Sequence, residues 1–265
     1  MIETFELASG HRLPRRIRGL RAWNLAAPLQ EAIHAAAAEG FTSFDLDVDP
    51  SSNPGVDRGA DPAADDTPDA PASAFGRVNR ARAAAGLPRL VPLVVLDLRA
   101  LHDAGRATPP AVQAQVADWL ARLHVPRLGL VWCRGLAGLG AHRPAALRTL
   151  FALRERGLLE AVGAADVEVG DLVALHRGGI RLDAVRLRGE AGAGSAAARL
   201  VPFAVAQRIA VVIEPAPDAA ALHAALAAPG VAAVIEPFAA PGVAAVIETH
   251  AAPGVAAHPT PGPRA

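Results

Sequence analysis

Residues 90–133 read LVPLVVLDLRALHDAGRATPPAVQAQVADWLARLHVPRLGLVWC, and their order decides the fold. Leu90 to Leu98 is apolar on both faces apart from Asp97. Thr108-Pro109-Pro110 supplies a capping hydroxyl followed by the prolines of a first helical turn. From there to His124, the residues Val112, Val116, Trp119, Leu120 and Leu123 fall on one stripe, and Arg127 to Cys133 is apolar again. Strands that do not alternate are buried on both faces, and strand, helix, strand in this order builds a parallel sheet covered by helices.

The same unit recurs in both directions along the chain. Upstream, Phe5-Glu6-Leu7 and Arg12-Leu13-Pro14 flank Gly10-His11 and predict a hairpin over 5–18. Ile17 to Trp23 predicts a strand and Leu29 to Glu39 a helix, with Leu29, Ile33 and Ala36 on one face and Gly40 at the C′ position. Phe41 to Val48 is a second strand and about 75–85 a second helix. Downstream come the helix Pro144 to Arg156, the strand Leu159 to Gly163 and the helix Gly170 to His176. The strand Leu182 to Leu187, the helix Ala196 to Gln207 and the strand Ile209 to Ile213 follow. Val231 to Ile235 supplies the eighth strand, so residues 1–237 are expected to form one (β/α)8 TIM barrel opened by an N-terminal β-hairpin.

Two segments stand outside this alternation. Residues 49–73 are rich in Asp and Pro with Val56 as their one large hydrophobe, and are expected to form a flexible loop. Ala-Ala-Pro-Gly-Val-Ala-Ala-Val-Ile-Glu at 227–236 recurs at 239–248, and its first seven residues return at 251–257. Residues 238–265 are therefore read as an Ala/Pro/Gly repeat tail on a truncated C-terminus, either an added edge strand or unstructured.

Composition narrows the function classes. The 265 residues carry 26 basic and 26 acidic side chains, a balance that offers no field for nucleic acid or an anionic membrane. With Cys133 as the single cysteine, no intrachain disulfide or cysteine-rich metal cluster can form. Neither a signal-like start nor a transmembrane run is present, which sets the expectation of a cytoplasmic protein. All 26 basic residues are arginine and there is no tyrosine, so no reactive lysine and no phenolic acid exist in this chain.

The order of the pieces resembles the aldo-keto reductases over residues 3–237. Gly19-Leu20-Arg21-Ala22-Trp23 is similar to the family's Gly-Leu-Gly-Thr-Trp strand, and Gly40-Phe41-Thr42-Ser43-Phe44-Asp45 to its Gly-Ile-Asn-Phe-Phe-Asp. Leu120 to Val125 resembles the segment before its fourth strand, and Leu153 to Gly163 its Leu-x-x-Gly-Lys-Ile-Arg-Ala-Ile-Gly stretch. The resemblance implies NADPH-dependent carbonyl reduction, in which a tyrosine gives a proton, a lysine lowers that tyrosine's pKa, an aspartate holds the lysine and a histidine orients the carbonyl.

Carried over residue by residue, the aspartate is Asp45, the tyrosine position is Pro50, the lysine position is at or beside Asp97 and the histidine position is Arg134. The cofactor-binding Ser-Asn pair reads Ala165-Asp166, and the strand-six glutamine reads Arg186. The family's phosphate-binding segment after strand eight corresponds to the repeat, whose one arginine is Arg264, which argues against a preformed NADPH site.

What remains at the expected barrel mouth is Asp45, Asp97 and Arg134, with Trp23, Asp47 and Trp132 as candidate pocket lining. Two readings of the trio stay open: an acid/base pair beside an anion clamp, or an ion cluster that neutralises buried charge. Asp45, Asp47 and Asp49 start like a calcium loop but lack its later ligands, and no histidine pair has metal spacing, so no metal is expected. The expectation is a small-molecule-binding barrel that has lost the reductase tetrad. The alternatives are an isomerase, lyase or hydrolase using Asp45 and Asp97, a residual NAD(P)-linked oxidoreductase, or a non-catalytic subunit that meets a protein partner through 49–73 or 239–265.

Overall fold

Apolar strands that cannot face water on either side need a closed sheet and an outer layer of helices, and both are present. The computed structural model describes residues 3–20, 29–46, 71–103, 105, 108–137, 139, 143–189, 196–215 and 219–237. The hairpin β1 (Thr4–Glu6) and β2 (Arg12–Pro14) comes first, pairing Phe5 with Leu13. Eight parallel strands follow: β3 (Arg16–Gly19), β4 (Ser43–Leu46), β5 (Val91–Asp97), β6 (Leu128–Arg134), β7 (Leu159–Ala165), β8 (Ala184–Arg188), β9 (Ala210–Glu214) and β10 (Val231–Pro237). They close in that order, β10 pairing with β3 through Ile235 opposite Ile17.

The crossovers carry α1 (Leu29–Ala38), α2 (Pro71–Ala84), α3 (Leu98–Asp103), α4 (Pro109–Leu123), α5 (Arg143–Glu155), α6 (Val169–Arg177), α7 (Ala196–Ala206) and α8 (Ala219–Ala227). This is the expected (β/α)8 barrel with its opening hairpin. Two helices were not anticipated. Leu98 begins α3 instead of ending a strand, because the Asp97 carboxylate accepts the Ala100 amide at 2.8 Å and caps the turn. Helix α8 is mostly alanine, so no contrast between faces marks it in the sequence.

Burial falls into two shells. Inside the barrel, Ile17, Leu93, Val95, Leu130, Trp132, Val212 and Ile235 pack with Ala161, Ala165, Ala184 and Ala233. Large side chains from β5 and β6 thus fill space that alanines of β7, β8 and β10 leave free. Leu7 and Leu13 of the hairpin join this cluster beside Leu93 and Leu130, near the strand starts, and so plug the N-terminal end of the barrel. Chemistry is left to the other end, where the strands finish.

Between sheet and helices lies the larger shell, including Phe44, Phe75, Val94, Leu96, Val131, Cys133, Leu147 and Leu150. Two buried polar side chains in it tie neighbouring elements together. Asn79 of α2 is fully buried, donates to the Leu90 carbonyl at 3.2 Å and accepts the Leu90 amide at 2.8 Å, which fixes the helix to the start of β5. Asp183 accepts the Val162 amide at 2.9 Å and Arg154 at 2.7 Å, tying α5 to β7 and β8. None of the helices among the described residues is long and apolar enough to cross a membrane.

Candidate active site

The last inward-facing residues of the strands meet at the open end, and there the interior changes from apolar to ionic. Asp45 in β4, Trp132 in β6 and Arg186 in β8 come from alternate strands, the pattern by which barrel interiors build a layer. Arg186 Nη1 lies 3.1 Å from Asp45 Oδ2 and 3.4 Å from Oδ1, with both side chains 1% exposed. The indole Nε1–H of Trp132 donates to Asp45 Oδ1 at 3.1 Å. Room for that indole comes from Gly163 in β7, where a Cβ would stand 2.6 Å from Trp132 Cε3 and Cζ3.

The other arm of the same guanidinium, Nη2, donates to Glu214 Oε2 of β9 at 2.6 Å. Glu214 in turn meets Arg188 Nε at 3.3 Å, Arg188 reaches Asp166 Oδ1 at 3.9 Å, and Asp166 Oδ2 lies 3.3 Å from Arg134 Nε as an ion pair. Three carboxylates and three guanidiniums therefore run in one balanced chain from the buried interior to the partly exposed mouth. The alternation of sign keeps each buried charge beside an opposite one, without which desolvation would make the inner pair costly. Asp166 sits just past β7 with φ +57°, a left-handed conformation that Asp adopts more easily than most residues. That turn places its carboxylate between Arg134 and Arg188.

Measured against the expectations from sequence, the residues regroup. Asp45 and Trp132 do come together, but Trp132 is wholly buried and packs in the core of the barrel. Of Asp45, Asp97 and Arg134, Asp97 stands opposite Arg134 in the sheet and turns one carboxylate oxygen, Oδ1, to the Ala100 amide at the start of α3. Arg134 pairs with Asp166, and the cation beside Asp45 is Arg186, from the opposite wall. Trp23 and Asp47, the remaining pocket candidates, lie outside the described residues, as do the segments 49–70 and 238–265. Among the described residues no group of three or more His, Cys, Asp or Glu is placed to hold a metal.

Glu214 and Arg188 escaped the reading from sequence. Their signal was present in Ala184-Val185-Arg186-Leu187-Arg188 and Ala210-Val211-Val212-Ile213-Glu214, where charges sit at strand ends with the period of one sheet face. Cys133, which neighbours Arg134 in sequence, points the other way into the shell under the helices, and burial pushes its thiol up to about 12. It is inert as a nucleophile at neutral pH.

The positions that the family resemblance assigns to NADPH do not fit the cofactor. Ala165 offers no side-chain hydrogen bond, Asp166 is drawn to Arg134 and Arg188, and Arg186 is committed to Asp45 and Glu214 beneath the mouth. A nicotinamide carboxamide needs polar groups aimed outward at it, and these aim at each other.

No protein-family model matches the chain, and no curated protein matches it in sequence. Solved structures do match in fold. An aldo-keto reductase complexed with NADPH superposes with a TM-score of 0.60 at 15% identity, over 80% of this chain and 62% of that one. An aldo-keto reductase of Brucella melitensis gives 0.57 at 15% identity, over 80% and 72%. A Pseudomonas aeruginosa protein described as an aldo-keto reductase gives 0.62 at 17% identity, over 88% and 87%. The chain spans less than two thirds of the length of the first of these. At such identities the likeness is one of fold, and the fold is the aldo-keto-reductase type of barrel that the order of motifs implied.

Proposed function

We propose that this chain is an aldo-keto-reductase-like barrel that has given up NADPH-dependent carbonyl reduction and serves to bind a small polar molecule at its mouth. One observation carries the reading: Asp45, the position of the family's lysine-holding aspartate, is charge-paired with Arg186 and hydrogen-bonded by Trp132. A lysine beside a tyrosine tunes a proton donor, whereas a guanidinium held between Asp45 and Glu214 has no acid to tune. With no tyrosine anywhere in the sequence, the proton donor of the reduction is missing as well.

What favours binding over acid/base catalysis by Asp45 and Asp97 is their engagement. Asp45 is buried under two donors and so is not presented to a substrate, and Asp97 gives one carboxylate oxygen to the cap of α3. Asp166 and Arg188 are the most exposed members of the ionic chain, Arg134 is partly buried beside Asp166, and these are the residues that a ligand would meet. A contact with a protein partner through residues 49–73 or 239–265 is compatible with this reading and does not depend on it.

The test has two arms. NADPH titrated while following tryptophan emission is expected to leave the spectrum unchanged, and nitrobenzaldehyde with NADPH is expected to remain unreduced; turnover in that assay would sink the proposal. Small anionic and polyhydroxylated metabolites screened by thermal shift are expected to yield a stabilising ligand whose effect disappears in Arg134→Ala. A screen without any stabilising compound would remove the binding role.

A further inference from the structure

The strand that closes the barrel has a second copy in the chain. Residues 227–236 and 239–248 are identical over ten positions, so every residue that β10 uses from Val231 to Glu236 recurs twelve places later as Val243 to Glu248. The slot between β9 and β3 makes specific demands. Ile235 and Ala233 must enter the interior cluster, and Ile235 lies against Gly19, where a Cβ would approach its Cγ2 to 3.0 Å. Val234 must face the outer shell, and Glu236, almost fully buried, must meet Arg16.

The approach to the slot is just as selective. Gly230 has φ +81°, and a Cβ there would stand 2.8 Å from Val205 Cγ2 and 2.9 Å from Val201 Cγ1. A segment able to compete must therefore carry Gly, then Val-Ala-Ala-Val-Ile-Glu, in this register. The sequence Gly242-Val243-Ala244-Ala245-Val246-Ile247-Glu248 does so without a single change. Register in a parallel sheet is set by which side chains can be buried, so the two segments satisfy the slot equally over 231–236, and at its last position, where Pro237 pairs with Gly19, the second copy offers Thr249.

We propose that the eighth-strand position is shared: 243–248 exchanges with 231–236 between β9 and β3, within the same chain. The exchange leaves α8 in sequence before the slot and lengthens its connection from three residues, 228–230, to fifteen, 228–242. Closure cost rises slowly with loop length, and this fivefold increase favours the first copy by roughly tenfold. The barrel thus holds a minor form in which twelve more residues loop out beside α8, and the C-terminus is shortened by as many beyond the strand.

Three variants of the full chain, followed by urea unfolding, test this. An aspartate in place of Ile235, in the dry interior, is expected to cost a single-slot barrel more than about a hundredfold in its folding constant. With a shared slot, Ile235→Asp loses roughly tenfold, because the second copy takes over. Ile247→Asp alone leaves stability near that of the parent, and the double variant Ile235→Asp/Ile247→Asp suffers the full loss. If Ile235→Asp alone falls to the level of the double variant, the slot belongs to the first copy only and the proposal is overturned.

Discussion

Arg186 and Asp45 meet at 3.1 Å from strands four places apart in an eight-strand ring, so their ion pair crosses the full width of the barrel. Both are almost completely withdrawn from water, and Arg186 also serves Glu214. Removing the guanidinium leaves two carboxylates facing each other's field, which is worse than removing the cluster as a whole. Arg186→Met is therefore expected to cost about 3–5 kcal/mol in urea unfolding. Arg186→Met combined with Asp45→Asn is expected to recover a large part of that loss. A single variant that unfolds at the parent's midpoint would show that the pair contributes nothing.

The fit of Trp132 over Gly163 makes a second prediction. Gly163→Ala places a methyl 2.6 Å from two indole carbons and 3.0 Å from the Ala184 carbonyl oxygen, in an interior that has no slack. Overpacking of this kind costs about 1–3 kcal/mol. Since the indole is also held by Asp45, its displacement should shift tryptophan emission as well as stability. In a Trp132→Phe background the smaller ring makes room, and the penalty of Gly163→Ala should shrink by more than about 0.5 kcal/mol, a coupling that a double-mutant cycle resolves. Additive effects would mean that the two residues do not share this space.

These two cases also show why the fold was more legible than the site. Strand and helix order follows from local pattern: Leu90 to Leu98 and Arg127 to Cys133 are apolar in runs, and Thr108-Pro109-Pro110 marks a helix start that the structure places at Pro109. Periodicity is a short-range signal, and it located six of the eight described helices, α3 and α8 being the exceptions, without any tertiary information. The partner of Asp45 is 141 residues away, and which strand it faces depends on barrel closure and stagger, which no run of residues encodes locally. Asp97 and Arg134 were grouped with Asp45 because their strands are adjacent in the ring. Direction was the missing quantity, since a carboxylate at a strand end can turn back to cap the next helix, as Asp97 does.

Asp166 allows conformation and charge to be separated. Its φ of +57° penalises any residue with a Cβ, while its carboxylate anchors Arg134 and Arg188. Both Asp166→Ala and Asp166→Gly lose the ion pairs, but only alanine keeps the left-handed strain, worth about 1–2 kcal/mol. The glycine variant is thus expected to be the more stable of the two, by about 1 kcal/mol once the greater freedom of glycine in the unfolded chain is allowed for. Thermal unfolding of the pair decides it; the reverse order would mean that the turn relaxes when the carboxylate is gone.

Cys133 supplies a pH dependence whose sign is fixed by its surroundings. Burial raises its thiol from 9.0 to about 12 in the folded protein, so the folded state keeps the proton that the unfolded state begins to lose near pH 9. The stability tied to this proton is complete below the unfolded value, and it drains away as pH climbs from there towards the folded value. Between those limits the unfolding free energy should fall by up to about 1.4 kcal/mol per pH unit from this group. Cys133→Ala removes the contribution, so the difference in urea stability between parent and variant should narrow in the parent's disfavour above pH 9 and stay constant below it. At pH 8 the native thiol should react with Ellman's reagent only as fast as the protein opens, and prompt labelling of the folded protein would place Cys133 at the surface instead of under the helices.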